Sequence, residues 1–241
     1  MSRYDAYFWD LYGTLADIHT DENQPSLWKS LAGFAAAHGA PYAPGELKAA
    51  YLRAVSQAEA VLRKRDRGIP GACPEINLGP VFSKLYADKG AAAGPALIRE
   101  TALLFRRTST THLRLYAGAR ELLTALRARG KVILLSNAQS LFTRPELDAL
   151  GLTDCFDGIY ISSEAGFKKP DPRFYRLALE REGLAPERCL MVGNDPVCDG
   201  QGARAVGMNA WVIRSGISPR GVREGYDQEG MDLRKLSKIL K

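Results

Sequence analysis

The 241-residue sequence holds no apolar run that approaches the roughly 20 residues a membrane-spanning helix requires. The amino terminus, Met1-Ser2-Arg3-Tyr4-Asp5, lacks the apolar stretch of a secretory signal, so the expected location is the cytoplasm. Cysteine is sparse. Cys73, Cys155, Cys189 and Cys198 lie far apart with no C-x-x-C pair, which writes neither a zinc centre nor a disulfide framework and leaves reduced thiols as the expectation. Internal repeats and low-complexity tracts are also missing. What is present is ordinary for a folded protein: 46% hydrophobic and 25% charged residues, punctuated by 23 glycines and 13 prolines, enough for one large domain or two modest ones.

The net charge is +6, from 33 Lys and Arg against 27 Asp and Glu, which favours anionic small molecules as partners. The densest basic cluster, Arg63-Lys64-Arg65 with Arg67, closes a helical pattern, where it complements the helix dipole. A nucleic-acid or membrane partner is therefore not expected, and the composition is silent on oligomeric state.

Periodicity divides the chain. Ala6-Tyr7-Phe8-Trp9 is a short aromatic run ending at Asp10, followed by Gly13 and Thr14, and reads as a buried strand entering a sharp loop. From Pro25 to about Thr108 the pattern is helical throughout: 27–37, 47–62, 81–86 and 96–105, between Gly and Pro breaks. After Leu113 helices (119–126, 145–150, 173–182, 200–206) alternate with strands (132–135, 159–161, 189–192, 210–213), which predicts βαβ units and a parallel sheet. The first strand has no helix of its own and is expected to join that sheet. The expected fold is thus α/β, a Rossmann-like parallel sheet core of residues 1–17 and 113–241 carrying an inserted all-helical domain of residues 18–112. Ligand chemistry in such a sheet sits at the carboxyl ends of the strands, where Asp10, Ser136, Asp195 and Asp199 fall.

Four motifs stand in order along the chain: Asp10-Leu11-Tyr12-Gly13-Thr14-Leu15, Leu135-Ser136-Asn137, Lys169-Pro170, and Val192-Gly193-Asn194-Asp195 with Asp199. Each alone is an unremarkable cap or turn. As an ordered set they resemble the haloacid dehalogenase-like hydrolase superfamily, in its helical-cap subfamily, over essentially the whole chain. The resemblance implies Asp10 as a carboxylate nucleophile, Thr14, Ser136 and Asn137 as part of the catalytic set, with the Thr14 and Ser136 hydroxyls donating to substrate oxygens, and Lys169 as the cation between nucleophile and anionic substrate. Lys168 is the neighbouring alternative to Lys169. Magnesium is the implied cofactor, held by Asp10, a carbonyl near Tyr12, Asp195 and Asp199, because oxygen ligands suit a hard divalent ion. The reading that competes with a metal role is helix capping by Asp195 and Asp199.

Tyr12 divides the possibilities. Phosphatases of the superfamily typically carry an Asp there, which protonates the leaving group; tyrosine is similar to the L-2-haloacid dehalogenases, whose halide needs no proton. Lys169-Pro170-Asp171 followed by Tyr175 also fits those dehalogenases, whereas Asp195 stands where they usually carry Ser and argues for magnesium. Arg53 aligns with their halide-binding arginine only after an inserted residue, and that role is not carried over. The expectation is a hydrolase, a magnesium-dependent phosphatase of a small phosphorylated metabolite working through an aspartyl-phosphate on Asp10. A 2-haloacid dehalogenase and a non-catalytic phosphate-ligand binder are the alternatives. Asp17, His19, Asp21 and Glu22 are the candidates to replace the acid missing at position 12. Trp28, Phe82, Tyr86 and Phe105 read as helix-packing core of the insertion rather than as a substrate platform.

Overall fold

A computed structural model describes residues 4–239, with side chains to residue 236. Residues 1–3 and 240–241, the outer ends of the expected core segments, lie outside the described residues. The five expected strands form as β1 (Ala6–Trp9), β4 (Lys131–Ser136), β5 (Gly158–Ile161), β6 (Cys189–Gly193) and β7 (Asn209–Arg214). With the two-residue β8 (Gln228–Glu229) they make a parallel sheet of order β5-β4-β1-β6-β7-β8. The first strand therefore sits at its centre, flanked by β4 and β6. Alternate residues of each strand go to opposite faces. Tyr7, Trp9, Val132, Leu134, Leu190 and Val192 pack beneath α5 (Ala119–Arg127) and α10 (Leu233–Ile239). Phe8, Ile133, Leu135 and Met191 pack beneath α8 (Pro172–Glu182) and α9 (Gly202–Ala205).

The inserted segment is helical as expected: α1 (Pro25–Ala37), α2 (Pro44–Arg65), α3 (Leu78–Ala87) and α4 (Pro95–Ser109). Of these, α1, α2 and α4 begin on proline, whose missing N–H lies where the helix has no acceptor for it. Trp28, Tyr51, Phe82, Tyr86 and Phe105 form an apolar cluster of their own, which Phe142 enters from α6 (Ser140–Ala149). The chain enters and leaves this bundle through an antiparallel ribbon, β2 (Ala16–Thr20) with β3 (Thr110–Leu115), closed by Asp21 N donating to the Ser109 carbonyl at 2.8 Å. The periodicity reading has no strands here, and its divisions at 17/18 and 112/113 cut across this ribbon. Two-residue alternation over five or six partly exposed positions is too faint to read without knowing that the strands face each other.

Two further differences have tertiary causes. The proline signal predicts a helix from Pro145, yet α6 starts at Ser140, with Pro145 inside it, because the amides of Ala138 and Ser140 find the hydroxyls of Ser162 and Ser163 in α7 (Ser162–Ala165). The helix expected over 200–206 is a π-helical turn over Pro196–Gln201 running into α9, capped by Asp195. The basic cluster is only partly a solvated face: Arg63 pairs with Glu59 on the surface, while Arg65 pairs with the buried Asp66, which also holds Arg173 of α8. All four cysteines are free thiols. Among the described residues no helix is long and apolar enough to cross a membrane.

Candidate active site

Because β4, β1 and β6 are neighbours, Ser136, Asp10 and the Gly193-Asn194-Asp195 turn meet at one edge of the sheet although Asp10 lies more than a hundred residues from the other two in sequence. The approach is close enough to demand glycine twice. A Cβ on Gly13, whose φ is +85°, would stand 2.2 Å from Asn194 Nδ2, and one on Gly193 would stand 2.1 Å from Asp199 Cγ.

Lys169 is the centre of the arrangement. Its ammonium, almost wholly buried, donates to Asp10 Oδ1 at 2.8 Å and to Asp199 Oδ1 at 2.7 Å. Its backbone is gripped by Asn137, which accepts from Lys169 N at 2.8 Å and donates to the Lys169 carbonyl at 2.9 Å. Burial pulls the Lys169 ammonium down, but the two carboxylates prevail and hold it above its ordinary value. Lys168 points elsewhere, 3.7 Å from Glu75. Burial raises the Asp10 carboxyl to about 6, against the pull of Lys169 and with a push from Asp199. Thr14 donates to Asp10 Oδ2 at 3.3 Å, and Ser136 Oγ is buried without a hydrogen-bond partner, an open donor at the end of β4.

Asp199 is fully engaged. Its second oxygen accepts the amides of Asn194 and Asp195, each at 3.0 Å. Asp195 Oδ1 accepts from the amides of Val197 and Cys198, so it caps the π-helical turn and also stands at the cavity wall. The capping reading therefore holds for Asp195, without removing it from the site. The cavity, about 210 Å³, is lined by Asp10, Tyr12, Asn137, Lys169, Asn194, Asp195, Cys198, Asp199, Ile217 and Pro219. Three carboxylates face one ammonium there, a surplus of negative charge that suits a hard divalent cation on oxygen donors. Because Asp199 is committed to Lys169 and two amides, the donors open to such an ion are Asp10, Asp195 and the backbone near Tyr12. Accordingly, no group of three or more His, Cys, Asp or Glu side chains among the described residues forms a metal cluster by itself.

The Tyr12 phenol turns away from the nucleophile. It donates to Glu146 and shares a 3.1 Å hydrogen bond with Thr143, while Arg106 of α4 forks onto the same glutamate at 2.6 and 3.2 Å. Burial, then the Glu146 charge, raises the phenol well above its usual range. None of the proposed substitutes for the missing acid lines the cavity. Asp17 pairs with Arg114 and His112, His19 stacks on His112, Asp21 accepts from Asn23 N, and Glu22 is a carboxyl raised by burial near Arg106. Arg53 is exposed on α2. Trp28, Phe82, Tyr86 and Phe105 are buried within the helical cluster, as read. Sequence reasoning missed Glu146 and Arg106, which carry no motif, and the cavity residues Ile217 and Pro219, which lie beyond the last motif in a stretch without periodicity.

The fold is a Rossmann-like α/β fold with a cavity at the carboxyl edge of its sheet, where three carboxylates and a lysine meet. The chain belongs to the haloacid dehalogenase-like hydrolase family, whose model matches residues 4–207. It is 35% identical over 161 residues to phosphoserine phosphatase of Thermus thermophilus, covering 66% of this chain and 64% of that protein. It is 36% identical over 157 residues to phosphoglycolate phosphatase of Nitrosospira multiformis, covering 63% and 66%. The chain thus spans just under two thirds of the length of these curated relatives. The crystal structure of 2-haloacid dehalogenase from Pseudomonas syringae pv. Tomato has the same fold, with a TM-score of 0.65 at 19% identity over 98% of both chains.

Proposed function

We propose that this protein is a magnesium-dependent phosphatase of a small phosphorylated metabolite. The observation that carries the reading is the Lys169 ammonium bridging Asp10 and Asp199 beside Asp195, because a site with this charge pattern receives a dianion only if a cation joins the acids. Its similarity to phosphatases that act on small metabolites supports the same substrate class.

In this proposal an Asp10 oxygen attacks phosphorus, the bond from phosphorus to the ester oxygen breaks, and the leaving oxygen departs with its electron pair and takes a proton from water. A water molecule then attacks phosphorus, the bond to Asp10 breaks, and inorganic phosphate leaves with the carboxylate restored. Lys169 keeps Asp10 ionised and offsets the charge of the incoming phosphoryl group. Thr14 orients the nucleophile, the free Ser136 hydroxyl donates to a phosphoryl oxygen, and Asn137 fixes the lysine backbone. Magnesium, when bound by Asp10, the Tyr12 carbonyl and Asp195, neutralises charge on the phosphoryl oxygens. Asp199, expected from the sequence among the metal ligands, is instead the acid that aligns Lys169 and the Asp195 turn. Helices α1–α4, within residues 18–112, act as a cap domain on a core of residues 1–17 and 113–241.

A dehalogenase reading is favoured by Tyr12 and by Lys169-Pro170-Asp171 with Tyr175, and opposed by Asp195, which adds negative charge where a carboxylate substrate and a departing halide would have to be accommodated. The purified protein is expected to release phosphate from p-nitrophenyl phosphate with magnesium, to lose this in chelator, and to lose it in Asp10→Asn. Chelator-resistant turnover, or an active Asp10→Asn protein, would overturn the proposal.

A further inference from the structure

No residue of α1–α4 lines the cavity around Asp10 among the described residues; beside Tyr12 and Cys198, the part of the wall that is not acidic, basic or amide is Ile217 and Pro219, from the segment following β7. Ile217 there is 40% exposed, a large apolar side chain at the mouth of an otherwise polar site. It is held firmly. Ser218 Oγ donates to the Asn194 carbonyl at 2.9 Å and accepts from Ser215 N at 2.9 Å, and Asn194 Nδ2 reaches Ser215 Oγ at 3.3 Å. The turn that carries Ile217 is therefore tied to the residue preceding Asp195. Ile217 leans across the nucleophile loop, its Cγ1 only 2.9 Å from where a side chain on Gly13 would begin.

Resting on the phosphatase reading, we propose that Ile217, with Pro219 beside it, is the specificity-determining residue, and that the substrate is a phosphomonoester with an apolar or aromatic group next to its ester oxygen. A phosphoryl group anchored at Lys169 and Asp10 directs the rest of the ester toward the mouth. The wall it meets there offers carbon surface and no charge, so a second carboxylate or ammonium close to the ester would lose its hydration without gaining a partner. An apolar group would instead be sheltered from water by Ile217. The cap, by contrast, contributes no side chain to this part of the site.

The test compares phenyl phosphate with glycerol 3-phosphate, using inorganic phosphate as a competitive inhibitor that reports the phosphoryl subsite alone. In Ile217→Ala and in the near-isosteric polar Ile217→Asn, kcat/KM for phenyl phosphate is expected to fall roughly tenfold through KM, and the preference over glycerol 3-phosphate to shrink by the same factor. Ile217→Val should restore most of it, and inhibition by phosphate should be unchanged in all three. An unchanged ratio of the two esters, or inhibition by phosphate weakened in step with KM, overturns the assignment of Ile217. If the wild-type protein releases phosphate from neither ester, the phosphatase reading itself fails and this proposal with it.

Discussion

Lys169 stands 2.7 Å from Asp199, whose other oxygen accepts the amides of Asn194 and Asp195, so one buried carboxylate aligns both the lysine and the turn bearing Asp195. Removing its charge leaves Lys169 with Asp10 alone and loosens that turn. Asp199→Asn is expected to destabilise the protein by about 3 kcal/mol, in the range for breaking a buried ion pair, and to lower kcat at least a hundredfold. Urea denaturation and a steady-state assay measure the two effects, and wild-type stability in this variant would contradict the alignment role.

Asp10 is needed as the carboxylate, and burial raises its carboxyl to about 6. Activity is expected to fall as pH drops below about 6. The stability linkage has the opposite sense: a folded value above the unfolded value of roughly 4 favours folding at low pH, and that contribution is lost as pH rises through 6. The stability difference between Asp10→Asn and wild type should therefore move in favour of the variant between pH 4 and 8. Melting temperatures across that interval test the sign.

Asp66 behaves in the reverse way. The guanidinium groups of Arg65 and Arg173 hydrogen-bond to it and hold its carboxyl well below the usual range. Stability from a depressed carboxyl is present above its unfolded value, about 4, and disappears as pH falls toward the folded value. Asp66→Asn should lower the melting temperature at pH 7, with the deficit narrowing below pH 4. A deficit independent of pH would assign the effect to packing.

Tyr12→Phe deletes one hydroxyl from the row it forms with Glu146 and Thr143, while Glu146 keeps its pairing with Arg106. A loss of about 1 kcal/mol in stability is expected. Because the phenol turns away from Asp10, turnover of p-nitrophenyl phosphate should stay within about threefold of wild type. Glu146→Ala strips Arg106 of its carboxylate and should cost more, about 3 kcal/mol. A collapse of turnover in Tyr12→Phe with stability intact would place the phenol in the reaction.

Legibility in the sequence varied with the range of the interactions involved. β1, β4 and β6 announce themselves because strands buried on both faces read as continuous apolar runs, and the helical insertion does so through its 3.6-residue spacing. Asp10, Lys169, Asp195 and Asp199 were legible as an ordered set of motifs. The β2–β3 ribbon was not, since its partners are some ninety residues apart and its alternation, Ala16 and Ile18 against Leu113 and Leu115, is too short to stand out. The early start of α6 depends on two serine hydroxyls from α7, which no local signal encodes.

Order along the chain and the chemical kinds of the site residues are properties of the sequence alone, because periodicity and residue type are local. Tertiary structure decided the rest: that Asn137 holds the lysine backbone, that Tyr12 faces Glu146 and not the nucleophile, and that Ile217 forms the mouth. Those outcomes follow from which strands lie side by side, and parallel neighbours are chosen by packing between segments that no short window of sequence contains.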